Sequence, residues 1–226
     1  MCGRYALDQN ARELAQQFAL TETPEPAPRY NIPPGTCVLA ILQQGATRVA
    51  GSMTWGLEPA WARARGYPGT SPRPINARSE TVASQPMFRT AFRSHRCVLP
   101  ASGFYEWRRP DRGPKQPFFF RPAAGGAFAM AGVFEPGDAV SAPTCCILTR
   151  PADAAVLPVH DRMPVLLAAD AVDLWLDPAA PVEDLRALLD RPHGLSIDVY
   201  PVSTRVNDTR HDDPGLTRPL AAGCQP

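Results

Sequence analysis

Arg96-Cys97-Val98-Leu99-Pro100-Ala101-Ser102-Gly103-Phe104-Tyr105-Glu106-Trp107 holds two short strand-like runs, Arg96–Leu99 and Gly103–Trp107, parted by small and turn-forming residues. Neither run is long enough for a helix, and the second is rich in the aromatic side chains that strands favour. Similar runs follow at Pro117–Arg121, Ala127–Phe134 and Thr144–Thr149. Short strands at this spacing predict a largely antiparallel sheet curled into a barrel-like core. Upstream, Val38–Leu42 and Arg48–Trp55 read as strands joined by a Gln43-Gln44-Gly45 turn; downstream, Ile197–Val202 is a last strand before a polar tail.

The 27 prolines among 226 residues stand well above the roughly 5% of average usage, so long helices are disfavoured. Short ones are expected from an Asp8 cap to about Leu20, with Leu14 and Phe18 on one face, and over Gln85–Arg93. Two more are expected at Asp170–Leu176 and Val182–Leu189, with Asp170 and the Pro181 region as their starts. Thr23–Pro34 reads as extended loop, and residues 56–75 as an irregular loop carrying Trp61. Helix and strand mix without a βαβ rhythm, and no linker parts two cores. The predicted class is therefore α+β, one domain over residues 1–226, with a core of about 2–206 and a tail of 207–226. A 44% apolar content argues against global disorder. No run approaches the ~18 apolar residues of a membrane span, and no apolar signal core follows Met1, so a cytoplasmic protein is expected.

A net charge of +1 hides an asymmetry: residues 73–112 hold eight Arg and three acids, residues 161–200 three Arg and eight acids. One electropositive face that attracts polyanions is one reading, and a solvated mixed surface is the other. Lys115 is the only lysine; a GC-rich coding sequence explains the arginines as readily as a demand for forked phosphate donors. Six cysteines include no Cys-x-x-Cys pair, so no metal and no other cofactor is expected. Cys97, Cys145 and Cys146 lie in apolar runs and read as core.

Cys2 differs in position. Loss of Met1 would leave it with an α-amine of pKa about 7.7–8.0 beside a thiol of about 8.5, a bifunctional nucleophile near neutrality. A second-position cysteine is also a common accident. Asn76 and Arg78, in Ile75-Asn76-Ala77-Arg78, can point to one side of an extended segment, or Asn76 can simply make an Asx turn. Glu106 shares a strand face with Phe104, where apolar neighbours would raise its pKa and make it an acid/base; a wet strand face is the alternative. His160 sits between prolines beside Asp161 and Arg162 and is a proton-transfer candidate, whereas His95, His193 and His211 read as surface residues.

Six segments then occur in order: Cys2-Gly3-Arg4-Tyr5, Arg29–Thr36, Trp55-Gly56-Leu57, Asn76–Thr81, Gly103–Trp107 and Val159–Pro164. Together they resemble the SOS-response-associated peptidase (SRAP) family, the abasic-site DNA–protein crosslink proteins, from Cys2 to about Val206. The resemblance implies that Cys2, exposed by autocatalytic loss of Met1, is the crosslinking nucleophile, with Asn76, Glu106 and His160 as its active-site partners. It implies that Arg4, Arg78 and Arg162 hold the phosphates of single-stranded DNA. Asn31, Pro34 and Trp61 match the DNA-contacting rim, and Thr149 an active-site neighbour. Ala62 departs from the second aromatic that many members carry there, which puts the handling of duplex junctions in question. The implied partner is single-stranded DNA bearing abasic sites, bound covalently by a monomer, with a thiazolidine as the product. A cysteine hydrolase with an N-terminal nucleophile is the alternative. Of its forms, the glutamine amidotransferase type lacks its Asn-Gly oxyanion pair, since no asparagine here precedes glycine.

Overall fold

The computed structural model describes residues 2–22, 25–64, 73–110 and 113–220. The expected hairpin is present as β3 (Cys37–Gln44) and β4 (Thr47–Trp55). From β3 the pairing runs to β6 (Arg96–Ala101), then β9 (Phe128–Glu135), then β10 (Thr144–Pro151), each step antiparallel. The first residues of β10 return to β4 through Thr144↔Thr54 and Cys145↔Trp55. Five strands thus close a ring, and closure leaves the ring no open edge. The closing pair is parallel, the one such pair within the ring.

Beyond that closure β10 runs on with new neighbours. β5 (Asn76–Arg78) joins one edge in parallel, and β11 (Arg162–Pro164) joins the other antiparallel. Thr149 lies opposite Arg78 on one side and Pro164 on the other. β12 (Leu166–Leu167) then pairs with β9.

A second, five-stranded sheet has the order β13 (Ile197–Pro201), β8 (Gln116–Pro122), β7 (Gly103–Arg108), β1 (Tyr5–Leu7), β2 (Arg29–Ile32). Strand alternation divides its side chains between two cores. Tyr5, Leu7, Phe104 and Phe120 face the main core with the ring, and Phe104 stacks on Phe120 at 4.8 Å between centroids. Ala6, Tyr105 and Phe119 face away, into a smaller core completed by Val202, Val206 and Leu216. The stretch expected as a polar tail therefore covers a sheet face: two 3₁₀ turns, Thr204–Asn207 and Pro214–Thr217, deliver Val206 and Leu216. Isolated apolar residues in polar surroundings have no periodicity to reveal them.

Gly103 marks a close approach within this sheet. A methyl there would collide with the Phe119 ring and the Phe120 carbonyl. Gly103→Ala is expected to destabilise the fold by about 1–3 kcal/mol through overpacking, visible as a lowered thermal midpoint.

The helices are short, as expected, with shifted bounds. α1 (Ala11–Phe18) is capped by Asn10, whose side chain and that of Glu13 bond each other's backbone N–H groups. Asp8 instead bonds Ser102 through its own backbone N–H and carboxylate. The reciprocal box satisfies two orphan donors at once, which a lone Asp8 cap does not. Leu14 and Phe18 are buried on one face, as the spacing predicts. Trp61 lies on a helical turn, α2 (Ala60–Ala64), inside the expected loop, and β2 lies inside the proline-rich one. α3 (Arg89–Ser94) begins four residues later than expected, because Pro86 disfavours helical backbone at Gln85. α4 (Ala169–Leu176) and α5 (Val182–Asp190) match their expected positions. No helix among the described residues is long and apolar enough to cross a membrane. Cys97, Cys145 and Cys146 are buried, as expected of core residues, and Cys37 is exposed. Cys224 lies outside the described residues.

Arg96, from the basic middle of the chain, is not on a charged surface. It is buried, and its guanidinium donates to the carbonyls of Phe92, Arg93, Trp175 and Asp177. It ties α3 to the end of α4.

Candidate functional site

The main-core side of the β1–β7 pair meets the open end of the ring where β5 and β11 flank β10. Tyr5 pairs with Phe104, and the Tyr105 amide donates to the Arg4 carbonyl at 2.9 Å, so the chain before β1 runs toward Glu106. Cys2 is fully buried there. Asn76 opens β5 opposite Ile147 and is set by the residue before it, whose carbonyl accepts from the Trp55 indole at 2.9 Å. Its Nδ2 donates to the Cys2 carbonyl at 2.9 Å, while its Oδ1 is buried without a hydrogen-bond donor.

Glu106 shares the main-core face of β7 with Phe104 and is only 2% exposed. Burial raises its pKa to about 7, with the Asp161 charge adding to the effect. Its Oε2 lies 3.8 Å from His160 Nε2. Burial likewise lowers the His160 pKa, with Asp161 opposing. His160 Nδ1 lies 3.0 Å from both the Arg162 amide and Asp161 Oδ1. Accepting from the amide leaves the ring proton on Nε2, toward Glu106; a proton on Nδ1, toward Asp161, leaves Nε2 as a base. The Cys2 thiol is pushed up by burial and, after that, by the charge of Glu106. Cys2, Asn76, Glu106 and His160, scattered over 159 positions of sequence, therefore meet in one place.

His160 ends a run of turns that begins at Asp153. Asp153 Oδ1 accepts from the Ala155 and Val156 amides, and its Oδ2 lies 2.8 Å from His193 Nε2. His193 Nδ1 accepts from the Leu195 amide at 2.9 Å, so the neutral ring donates from Nε2 to Asp153. The His193 side chain is only 9% exposed, so it is not the surface residue expected. Its partner lies 40 positions away, and no local pattern reveals such a pair. Asp153→Ala is expected to cost about 1 kcal/mol, as for a lost cap, and calorimetry tests it.

The expected DNA contacts divide by exposure. Arg78 and Trp61 are exposed and Pro34 is half-buried. Asn31 is buried: it bonds Arg4 Nη1 at 2.7 Å and donates to the carbonyls of Val206, Asp208 and His211. Arg4 also donates to the Val206 carbonyl, so this pair anchors the covering segment. Thr149 is fully buried, and Arg162 reaches its carbonyl at 2.6 Å. Arg162 also pairs with both oxygens of Glu80, and that hydrogen bonding holds the Glu80 carboxyl down at about 2.

Glu106 and His160 open into a cleft of about 540 Å³, also lined by Arg108, Arg109, Lys115 and Asp161. Among the described residues no group of three or more His, Cys, Asp and Glu is placed to hold a metal ion.

The model of the family described as SOS response associated peptidase (SRAP) matches residues 1–209. The chain belongs to the SRAP family. Among its SRAP relatives are the abasic site processing protein YoqW of Bacillus subtilis and YedK of Escherichia coli, which bears the same description. YoqW is 34% identical over 96% of this chain and 98% of its own length. YedK is 33% identical over 78% of this chain and 79% of its own. A solved protein from Bacteroides thetaiotaomicron shares the SRAP-type fold with a TM-score of 0.83, at 21% identity over 97% of this chain and all of that one. The family resemblance and the α+β architecture expected from the sequence are both borne out.

Proposed function

We propose that this protein captures abasic sites in single-stranded DNA as a covalent thiazolidine on Cys2, once Met1 has been removed by hydrolysis of the Met1–Cys2 amide. The observation that carries the reading is the meeting of Asn76, Glu106 and His160 around Cys2 in a family whose relatives are described as processing abasic sites.

An abasic deoxyribose opens to an aldehyde. The Cys2 amine adds to that carbonyl, the carbinolamine loses water to give an imine, and the thiol then adds across the C=N bond. Its sulfur bonds to carbon and its proton goes to nitrogen, so the whole sequence releases one water. The burial that holds the thiol protonated makes the amine the first nucleophile and the thiol the second. Ring closure is intramolecular, where high effective molarity favours a lasting product.

Glu106, near neutrality in pKa, takes a proton from the amine and returns it to the departing hydroxyl. His160 moves protons at the sugar oxygen, since its 3.8 Å separation from Glu106 is too wide for a direct bond and leaves both groups able to reach a substrate hydroxyl. Asn76 fixes the Cys2 carbonyl and offers Oδ1 to the amine. Arg78 and Trp61, both exposed, contact the strand, and Arg4 and Arg162 act at the margin of the site. The reading places the protein in the cytosol, as a monomer, at forks where single strands accumulate.

The test is direct. Single-stranded DNA with one abasic site should give a slow-migrating species that survives denaturation, and the same strand without the lesion should give none. An unreactive abasic strand, with mature protein verified by mass spectrometry, overturns the reading.

A further inference from the structure

The cleft has one wall that the chemistry above does not use. On β7, Glu106 and Arg108 project from the same face, with Phe118 opposite Glu106 in register. The Arg108 guanidinium carbon sits 4.8 Å over the Phe118 ring. Stacking occupies the face of a guanidinium and leaves its N–H edges for an anion. Arg109 and Lys115 follow at the two ends of the loop between β7 and β8, both exposed and both lining the cleft. The facing wall is Pro158–Asp161, where Asp161 is the exposed acid. Among the described residues that line the cleft, three cations thus accompany one exposed carboxylate.

The chain's only lysine stands here, and its charge is felt at His160, whose protonation it opposes. Arg4 and Arg162, by contrast, direct their guanidinia into internal bonds with Asn31, Val206, Thr149 and Glu80. A cleft lined by one sign of charge concentrates a polyanion at its mouth.

We infer that Arg108, Arg109 and Lys115 form a further phosphate subsite, which grips the sugar–phosphate backbone of the strand whose damaged sugar reaches Glu106 and His160. The subsite rests on the function proposed above and adds a binding path to it. It reads no base, because phosphodiesters are alike along any strand.

The experiment uses an unreactive single strand, so that binding is separated from chemistry. Affinity is measured against salt for the wild type and for the triple variant Arg108→Gln, Arg109→Gln, Lys115→Gln. Loss of three phosphate contacts should flatten the log–log salt slope by about 2, at roughly 0.7 per contact on single strands. Between roughly 50 and 200 mM salt, the wild type should then lose about twentyfold more affinity than the variant. Neutral methylphosphonate linkages in the strand should flatten the wild-type slope and leave the variant's much less changed. An unchanged slope in a variant with native circular dichroism overturns the subsite, as does a loss of affinity equal at every salt concentration. Failure of the parent reading shows itself separately, as absence of a covalent species from wild type and an abasic strand.

Discussion

Without reductant neither Cys2→Ala nor Cys2→Ser should give a denaturation-resistant species with an abasic strand, and each should give one after borohydride reduction. The two variants divide the chemistry between nitrogen and sulfur. Both keep the α-amine, so both can form an imine, which hydrolyses unless reduced. Only sulfur closes the ring, because a hydroxyl is a far weaker nucleophile than a thiol. Alanine removes one heavy atom from a fully buried position, and serine places a hydroxyl in the same space, so circular dichroism should confirm the fold of each. The expected loss of stable product is complete within detection, against nearly full conversion for the wild type. Stable product from Cys2→Ala without reductant would move the reaction to another nucleophile, and Lys115, lining the same cleft, would be the first to test. Retention of Met1 in fully active protein would remove the amine on which both steps depend.

The parts of this molecule legible in its sequence are those whose signal is local. The hairpin of β3 and β4, the Leu14 and Phe18 stripe of α1 and the shared face of Phe104 and Glu106 all follow from period and alternation. The pairing that closes the ring is a different matter. Thr144↔Thr54 and Cys145↔Trp55 join strands 90 residues apart in parallel, and no periodicity encodes a long-range partner. The same limit hid the covering segment. Asn31 is a polar residue in a proline-rich stretch, and only the fold reveals it as the acceptor for Arg4 and the donor to three distant carbonyls. His193 departs from its expected surface position for the reverse reason: its surroundings are polar in sequence and enclosed in space. At the site, residue types suggested Glu106 and His160 singly. Their 3.8 Å approach depends on β7 meeting the turns after Asp153, a contact between elements that share no sequence signal.

Glu106→Gln should stabilise the protein above neutral pH while slowing adduct formation on the order of a hundredfold or more, the usual range for a lost general acid–base. Burial lifts the folded-state pKa from 4.5 to about 7. Below the unfolded value both states hold the proton, and the stability it contributes is fully present. Between 4.5 and about 7 the folded state keeps a proton that the unfolded state has released, so stability falls as pH rises. Above that window the ionised, buried carboxylate leaves the wild type less stable by about 3 kcal/mol. Glutamine carries no such step. Chemical denaturation should therefore find the two proteins similar near the lower end of the window and the variant more stable near pH 8; parallel pH dependences would exclude a buried, titrating Glu106. The rate should move the other way. In the wild type the carboxylate that accepts the amine's proton disappears as pH falls through about 7, so adduct formation slows there. In the variant that inflection is absent, and the rate follows the protonation of the amine alone. The form of Glu106 that does the chemistry is the form that strains the fold. A protein selected for stability alone would place glutamine, or an apolar residue to match Phe104, at this position in β7. A buried carboxylate poised near neutrality is what the proton transfer proposed beside Cys2 requires.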